Sequence, residues 1–236
     1  MSPNRPNDSR FNDVPGEVLL IDKPSGWTSF DVVNKLRRAG GGLKMGHTGT
    51  LDPLATGLLI ICTGKKRKEI ERFTGLDKEY LVGVVLGVRT PSYDTETDPI
   101  EQRSTEGVTE EHIRAVLEEF TGPQMQTPPM WSAVKVGGKR LYELARKGRD
   151  IDRPARQIVV HSIATVECAI PRLVLRIACS KGTYVRSLVN DIGERLGCGA
   201  SVSSLRRTRI GPYSVDEASG IPQAAAHLEG SYAQSL

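Results

Sequence analysis

Two β-rich runs, IVVHSIATVECA (158–169) and LVLRIACS (173–180), are separated only by a bend at Pro171. Parallel neighbours need a crossover of a dozen or more residues, so these two runs are expected to pair antiparallel. Elsewhere strand and helix patterns alternate irregularly. EVLLID (17–22), LLIIC (58–62) and KEYLVGVVLG (78–87) read as strands. Helices are expected from Thr28 to Gly40, over 65–73, across Ile113, Val116, Leu117 and Phe120, over LYELARK to Gly148, and over Tyr184–Leu196. SAVKV with Gly137-Gly138 reads as a strand and tight turn, and 205–213 as a final strand. Residues 89–108 read as an exposed loop and 121–130 as a Pro-rich loop. Such an order argues α+β rather than a doubly wound parallel sheet.

Residues 1–16 carry three Pro and three Asn and read as a disordered leader. The polar, Ala/Ser-rich stretch 214–236 reads as a C-terminal tail, which leaves 17–213 as the expected domain. A chain of 236 residues is long enough to bury about 70% of its unfolded surface in one core. Four cysteines without a C-x-x-C pair argue against a disulfide scaffold or a cysteine zinc site. The first 17 residues lack the apolar stretch of a signal peptide, and no apolar run approaches bilayer length, so a cytoplasmic protein is expected.

The net charge of +4 conceals segregation. Residues 35–72, 135–156 and 172–209 sum to +6, +5 and +6, whereas 94–119 sum to −7. Either these are separately solvated faces or they form one positive surface for a polyanion. Gly64-Lys65-Lys66 lacks the spacing of a Walker loop, and His47, His112, His161 and His227 form no metal-ligand motif. There is no G-x-S-x-G elbow for a serine nucleophile. What stands out is Gly46-His47-Thr48-Gly49-Thr50-Leu51-Asp52-Pro53-Leu54-Ala55-Thr56-Gly57, a rigid, non-repetitive loop with a carboxylate at its centre. Composition leaves Asp52 open between a turn cap and a reactive group.

That loop resembles the signature motif of the bacterial tRNA pseudouridine-55 synthase family (pseudouridine synthase B). Lys23-Pro24-Ser25-Gly26-Trp27-Thr28-Ser29 resembles the family's first motif, and Lys78-Glu79-Tyr80 its central K-x-Y. Gly87-Val88-Arg89-Thr90 through Asp94 resembles its flipping loop. Ser180–Leu188 and Leu205-Arg206-Arg207-Thr208 resemble the last two motifs. The matches run in order over residues 17–213.

The resemblance implies the pseudouridine synthase fold, a central mixed, mostly antiparallel sheet flanked by helices and long loops. It implies isomerisation of the T-loop uridine of tRNA, with Asp52 as nucleophile and Arg186 as its ion-pair partner. Tyr80 falls on the tyrosine that packs on the base and helps remove the C5 proton. Tyr184 and Leu205 fall on positions contacting the uridine, and Lys23 with Pro24 would buttress the catalytic loop. His47 matches the histidine that fills the space left by the flipped nucleotide, and Asp94 a residue of the same step. No cofactor and no metal are implied. The implied partner is the tRNA T arm, without a membrane or protein partner, and a monomer is expected.

Within that scheme Lys65–Lys68, Lys135–Arg156 and Arg206–Arg209 are the expected phosphate contacts. Many family members carry a small C-terminal RNA-binding domain. The 23 residues after Tyr213 are too few for one, so a short form is expected. Two alternatives stay open: a guide-dependent ribosomal RNA pseudouridine synthase, and a tRNA-folding chaperone acting by binding alone. The Pro-Leu-Ala-Thr-Gly-Leu-Leu ending of the loop favours the stand-alone type.

Overall fold

A computed structural model describes residues 14–132 and 134–232. The chain divides into two compact units, Met1–Leu76 with Arg207–Leu236, and Asp77–Arg206. The first opens with β1 (Val18–Lys23), α1 (Ser29–Ala39), β2 (Met45–His47), β3 (Thr56–Thr63) and α2 (Ile70–Thr74). The second holds β4 (Lys78–Leu86), the two-residue strands β5 (Val88–Arg89) and β6 (Glu101–Gln102), and α3 (Glu110–Glu119). It continues with β7 (Gly122–Gln126), the hairpin of β8 (Lys135–Val136) and β9 (Lys139–Arg140), α4 (Leu141–Ala145), β10 (Arg156–Ala169), β11 (Arg172–Cys179) and α5 (Val185–Arg195). Along β12 (Ala200–Ile210) the chain passes back to the first unit, which closes with β13 (Tyr213–Ser214) and α6 (Ile221–Tyr232). The expected α+β class, with mostly antiparallel pairing, holds in each unit.

In the first unit β3 is the centre. It pairs antiparallel with β1, from Val18↔Cys62 to Lys23↔Gly57, and with β2, from Met45↔Thr63 to His47↔Ile61. Its unbroken apolar run has a simple cause: both faces are covered. Leu59 and Ile61 pack with Ile21, with Val32, Val33 and Leu36 of α1, and with α6. Leu58, Ile60 and Cys62 pack with Phe73, Ile210 and Val215. Helix α1 starts on a capping box in which Thr28 Oγ1 accepts from Asp31 N at 3.0 Å and Asp31 Oδ2 accepts from Thr28 N at 3.1 Å. Phe30 points away from this core at 66% exposure, because it lies about 200° around the helix from Val32.

Several expectations change here. The stretch 214–236 is no polar tail over its described part. Ile221, Ala224, Ala225 and Leu228 lie at i, i+3, i+4 and i+7 and join the core cluster of α1 and β1. The helix expected over 65–73 is a 3-10 turn (Gly64–Glu69) followed by α2. Of the expected leader, residues 1–13 lie outside the described residues. Residues 14–16 pack on 63–65: the Val14 carbonyl accepts from Lys65 N at 3.1 Å, and a Cβ on Gly16 would fall 2.0 Å from the Thr63 oxygen.

In the second unit β4, β11, β10 and β7 pair antiparallel in that order. The hairpin expected around Pro171 is present, with register shifts between Val160 and Ser162 and between Thr165 and Glu167. The Pro-rich stretch 121–130 is not all loop. GPQMQ forms β7, an edge strand, where Pro123 is tolerated without donating to the ladder. Nor is 89–108 simply exposed loop: β5 and β6 form a short hairpin, and Thr90, Ser92 and Asp94 are buried. The final strand begins at Ala200 rather than 205, and stops at Ile210 before β13 pairs back on it.

Leu228 is fully buried, so Leu228→Ala is expected to cost about 2–5 kcal/mol of stability by denaturant unfolding. A change within about 0.5 kcal/mol would mean that α6 is dispensable to the core.

Candidate active site

The loop between β2 and β3 has few backbone partners of its own kind, so its polar groups must be satisfied from elsewhere. Three side chains of the first unit do this. Lys23, at the end of β1, is fully buried and donates through Nζ to the carbonyls of Trp27 (2.7 Å), Pro24 (2.9 Å) and Pro53 (3.2 Å). Ser29 Oγ accepts from Leu51 N at 2.9 Å and donates to the Leu51 carbonyl at 3.2 Å. Arg207 is 2% exposed; its Nε donates to the Leu58 carbonyl at 2.7 Å and its Nη2 to the Gly49 carbonyl at 3.2 Å. A Cβ on Gly57, at φ +97°, would fall 2.3 Å from the Arg207 oxygen, so only glycine permits that approach. The turn itself closes through the main chain, Ala55 N to the Asp52 carbonyl at 3.1 Å.

Asp52 is half-buried at the centre of this fixed backbone. Burial pushes the Lys23 ammonium down to about 8; the Asp52 charge acts in the opposite sense and Arg207 adds to the lowering. His47, at the end of β2, is also held below the ordinary histidine range, first by burial and then by Arg207, which favours the neutral imidazole near pH 7. Its Nδ1 accepts from Gly49 N at 3.4 Å.

The second unit gathers the other expected residues on different elements. Tyr80 is 8% exposed on β4, opposite Ile177, and Leu205 is half-buried on β12. Tyr184 is the residue before α5. Two positions on, Arg186 is 3% exposed, donating to the Ser92 carbonyl at 2.7 Å and the Trp131 carbonyl at 2.8 Å. Its Nε lies 3.4 Å from Asp94 Oδ2, which joins two residues expected to act in separate steps. Asp94 also accepts from Glu96 N at 2.9 Å.

Lys23, expected as a buttress of the loop, bonds one carbonyl of that loop, Pro53, and two of the segment after β1, Pro24 and Trp27. Arg207, expected among the phosphate contacts, is not one: a guanidinium 2% exposed and bonded to two carbonyls is an internal strut. The separate signal was the glycine at 57, whose need for a close backbone neighbour cannot be located from sequence. Gln126 belongs to no motif, yet it is 3% exposed and bonds to both backbone groups of Tyr184. Among the described residues no cluster of His, Cys, Asp and Glu is arranged to hold a metal, and no helix is long and apolar enough to cross a membrane.

Residues 37–185 match the profile of the TruB family pseudouridylate synthase (N terminal domain). Residues 186–227 match that of the tRNA pseudouridylate synthase B C-terminal domain, from α5 into α6. The tRNA pseudouridine synthase B of Phocaeicola vulgatus is 47% identical over 213 residues, 88% of this chain and 91% of the relative. That of Chloroherpeton thalassium is 50% identical over 208 residues, 86% of each. A solved chain from a Cbf5-Nop10-Gar1 complex superposes with a TM-score of 0.70 at 31% identity, covering 94% of this chain. This chain spans only 56% of that one. Fold and profiles together define a pseudouridylate synthase. The chain belongs to the TruB family.

Lys23 supplies a pH test of this site. Its folded value of about 8 lies below the unfolded one, so between about pH 8 and 10.5 the unfolded chain binds more protons. The Lys23 contribution to stability therefore rises with pH across that window. Below it, the cost of the buried charge is constant. Relative to Lys23→Met, the wild type is expected to gain about 2 kcal/mol between pH 8 and 10 in urea unfolding. A pH-independent difference would show that the ammonium is not perturbed.

Proposed function

We propose that the protein isomerises a uridine in the T arm of tRNA, position 55, to pseudouridine, with Asp52 as the nucleophile. The N1–C1′ bond breaks, the uracil turns, C5 bonds to C1′, and the proton leaving C5 is matched by one gained at N1. The reaction is balanced without oxidant or reductant. A uridine inside a folded loop must first leave its stack. His47 occupies the space it vacates, and Asp94 serves the same step. Tyr80 packs on the uracil and assists removal of the C5 proton, while Tyr184 and Leu205 border the base. Arg186 supplies the fixed positive charge that favours an ionised nucleophile.

The observation that carries this reading is how the Asp52 loop is held. Lys23, Ser29 and Arg207 bond its main chain on both sides of the aspartate, so the carboxylate is seated before substrate arrives. Relatives named tRNA pseudouridine synthase B, nearly half identical over most of the chain, support tRNA as the substrate. Lys65, Arg67, Lys68, the exposed cations of residues 139–149, Arg206 and Arg209 are the proposed phosphate contacts, Arg207 being excluded by burial and Arg156 by its seat on Tyr184.

The test is release of labelled C5 hydrogen from uridine in a T-arm hairpin. Asp52→Asn is expected to lose activity on the order of a thousand-fold or more. RNA affinity should stay within a few-fold, because no phosphate contact is removed. Unchanged turnover would remove Asp52 as nucleophile. Turnover only with an added guide RNA would instead favour a guide-dependent enzyme, and tight binding without any turnover a chaperone.

Affinity for the hairpin is expected to fall tenfold or more between about 50 and about 200 mM salt, as released counterions require. A flat salt dependence, measured by filter binding, would remove the phosphate assignment.

A further inference from the structure

β7 ends at Gln126, β10 begins at Arg156, and the two residues face each other in the antiparallel register. Both side chains converge on Tyr184. Gln126 Oε1 accepts from Tyr184 N at 2.7 Å, and Gln126 Nε2 donates to the Tyr184 carbonyl at 3.0 Å. One residue of a paired strand exchanges the same two bonds with its partner. Tyr184 is extended, at φ −93° and ψ 104°, so the side-chain amide continues the ladder one step past the strand's end. Partners of opposite type fix which way that amide points.

Arg156 acts on the ring. Its guanidinium carbon lies 4.7 Å from the Tyr184 ring centroid, the geometry of a cation–π contact. Its Nη2 donates to the Gly182 carbonyl, which ties the guanidinium to the same turn that carries the tyrosine. A Cβ on Gly182 would meet Arg156 Cζ at 3.6 Å, so the guanidinium lies against that backbone in ordinary contact. No side-chain cap bond anchors Tyr184 at the start of α5. The anchoring comes from the strand pair instead.

We propose that Gln126 and Arg156 are positioning residues for uridine isomerisation, the amide fixing the backbone of Tyr184 and the guanidinium fixing its ring plane. The inference rests on the reading above, in which Tyr184 borders the target base. Neither residue need touch the uracil. A ring displaced by about 1 Å is enough to cost up to about a hundred-fold in rate.

A double-mutant cycle tests it, with C5-hydrogen release from the T-arm hairpin as readout. Gln126→Leu and Arg156→Met are each expected to lower kcat about tenfold or more, with KM changed less than about threefold. In a Tyr184→Ala background each is expected to cost less than about twofold, since no ring is left to position. Arg156→Lys is expected to stay as impaired as Arg156→Met, because a point charge does not reproduce the planar stack. Equal penalties in both backgrounds would overturn the proposal, leaving only a structural role. Full rescue by lysine would overturn it too, making Arg156 a phosphate contact. Thermal unfolding checks that the variants fold; should Gln126→Leu not fold, the half-exposed Arg156 carries the cycle. A wild type that fails to turn over this RNA would bring down the functional reading and this proposal with it, whereas additive penalties with wild-type turnover intact bring down the proposal alone.

Discussion

Irregular backbone in a protein interior has to find hydrogen-bond partners that no helix or sheet ladder supplies. Here buried cations supply them. Lys23 spends its three hydrogens on the carbonyls of Pro24, Trp27 and Pro53. Arg207 bridges Leu58 and Gly49, and Arg186, in the other unit, bridges Ser92 and Trp131. Charged donors make such bonds stronger than neutral ones, and truncating any of the three would leave carbonyls unpaired in a dry setting. The segments that bear Asp52 and Asp94 are therefore held by side chains rather than by their own local structure.

This changes what the charge distribution means. Counting residues treats every lysine and arginine as a candidate for phosphate, and three segments then look strongly positive. Arg186 and Arg207 are internal, so two charges of the 172–209 segment never reach solvent. Others are committed on the surface: Arg195 to Glu119 at 2.7 Å, Arg176 to Glu79 at 3.4 Å, and Lys66 to Glu69 at 2.7 Å. The positive surface available to RNA is smaller than the sequence suggests. Its best representatives are exposed residues such as Lys65, Arg67, Lys68 and Arg209.

Long, strongly patterned elements were legible in the sequence. The capped α1, the two-faced β3, the β10–β11 hairpin and the amphipathic α3 and α5 all carry signals of cap, period or apolar run. What escaped has a physical reason in each case. Two of the four apolar contacts of α6 are alanines, which add little to a hydrophobic period, so a buried helix resembled a polar tail. β7 contains no β-branched or aromatic residue, and its strand state depends on pairing with β10. The candidate site residues were legible through ordered motifs, because short loops carry their chemistry in sequence. Gln126 and Arg207 act through backbone groups far away in the chain, 58 and 158 residues distant, and no local pattern encodes that.

The Thr90–Asp94 segment shows the same economy of support under strain. Tyr93 is the one described non-glycine residue with positive φ, at +64°, a conformation that costs about 1–3 kcal/mol for a side chain of this size. It persists because its surroundings over-determine it. Tyr93 N donates to the Thr90 carbonyl at 3.2 Å, and the Tyr93 carbonyl accepts from Val202 N at 2.9 Å. The Thr90 and Ser92 hydroxyls both reach the Asp94 carbonyl, at 2.7 and 3.3 Å. Arg186 then takes the Ser92 carbonyl with Nη1 and faces the Asp94 carboxylate with Nε. One guanidinium thus neutralises a buried carboxylate and fixes the strained turn that presents it, which makes Asp94 a countercharge as well as a loop residue. Replacing Arg186 alone would take this countercharge from the buried Asp94 carboxylate, a larger penalty than the net gain from the pair itself.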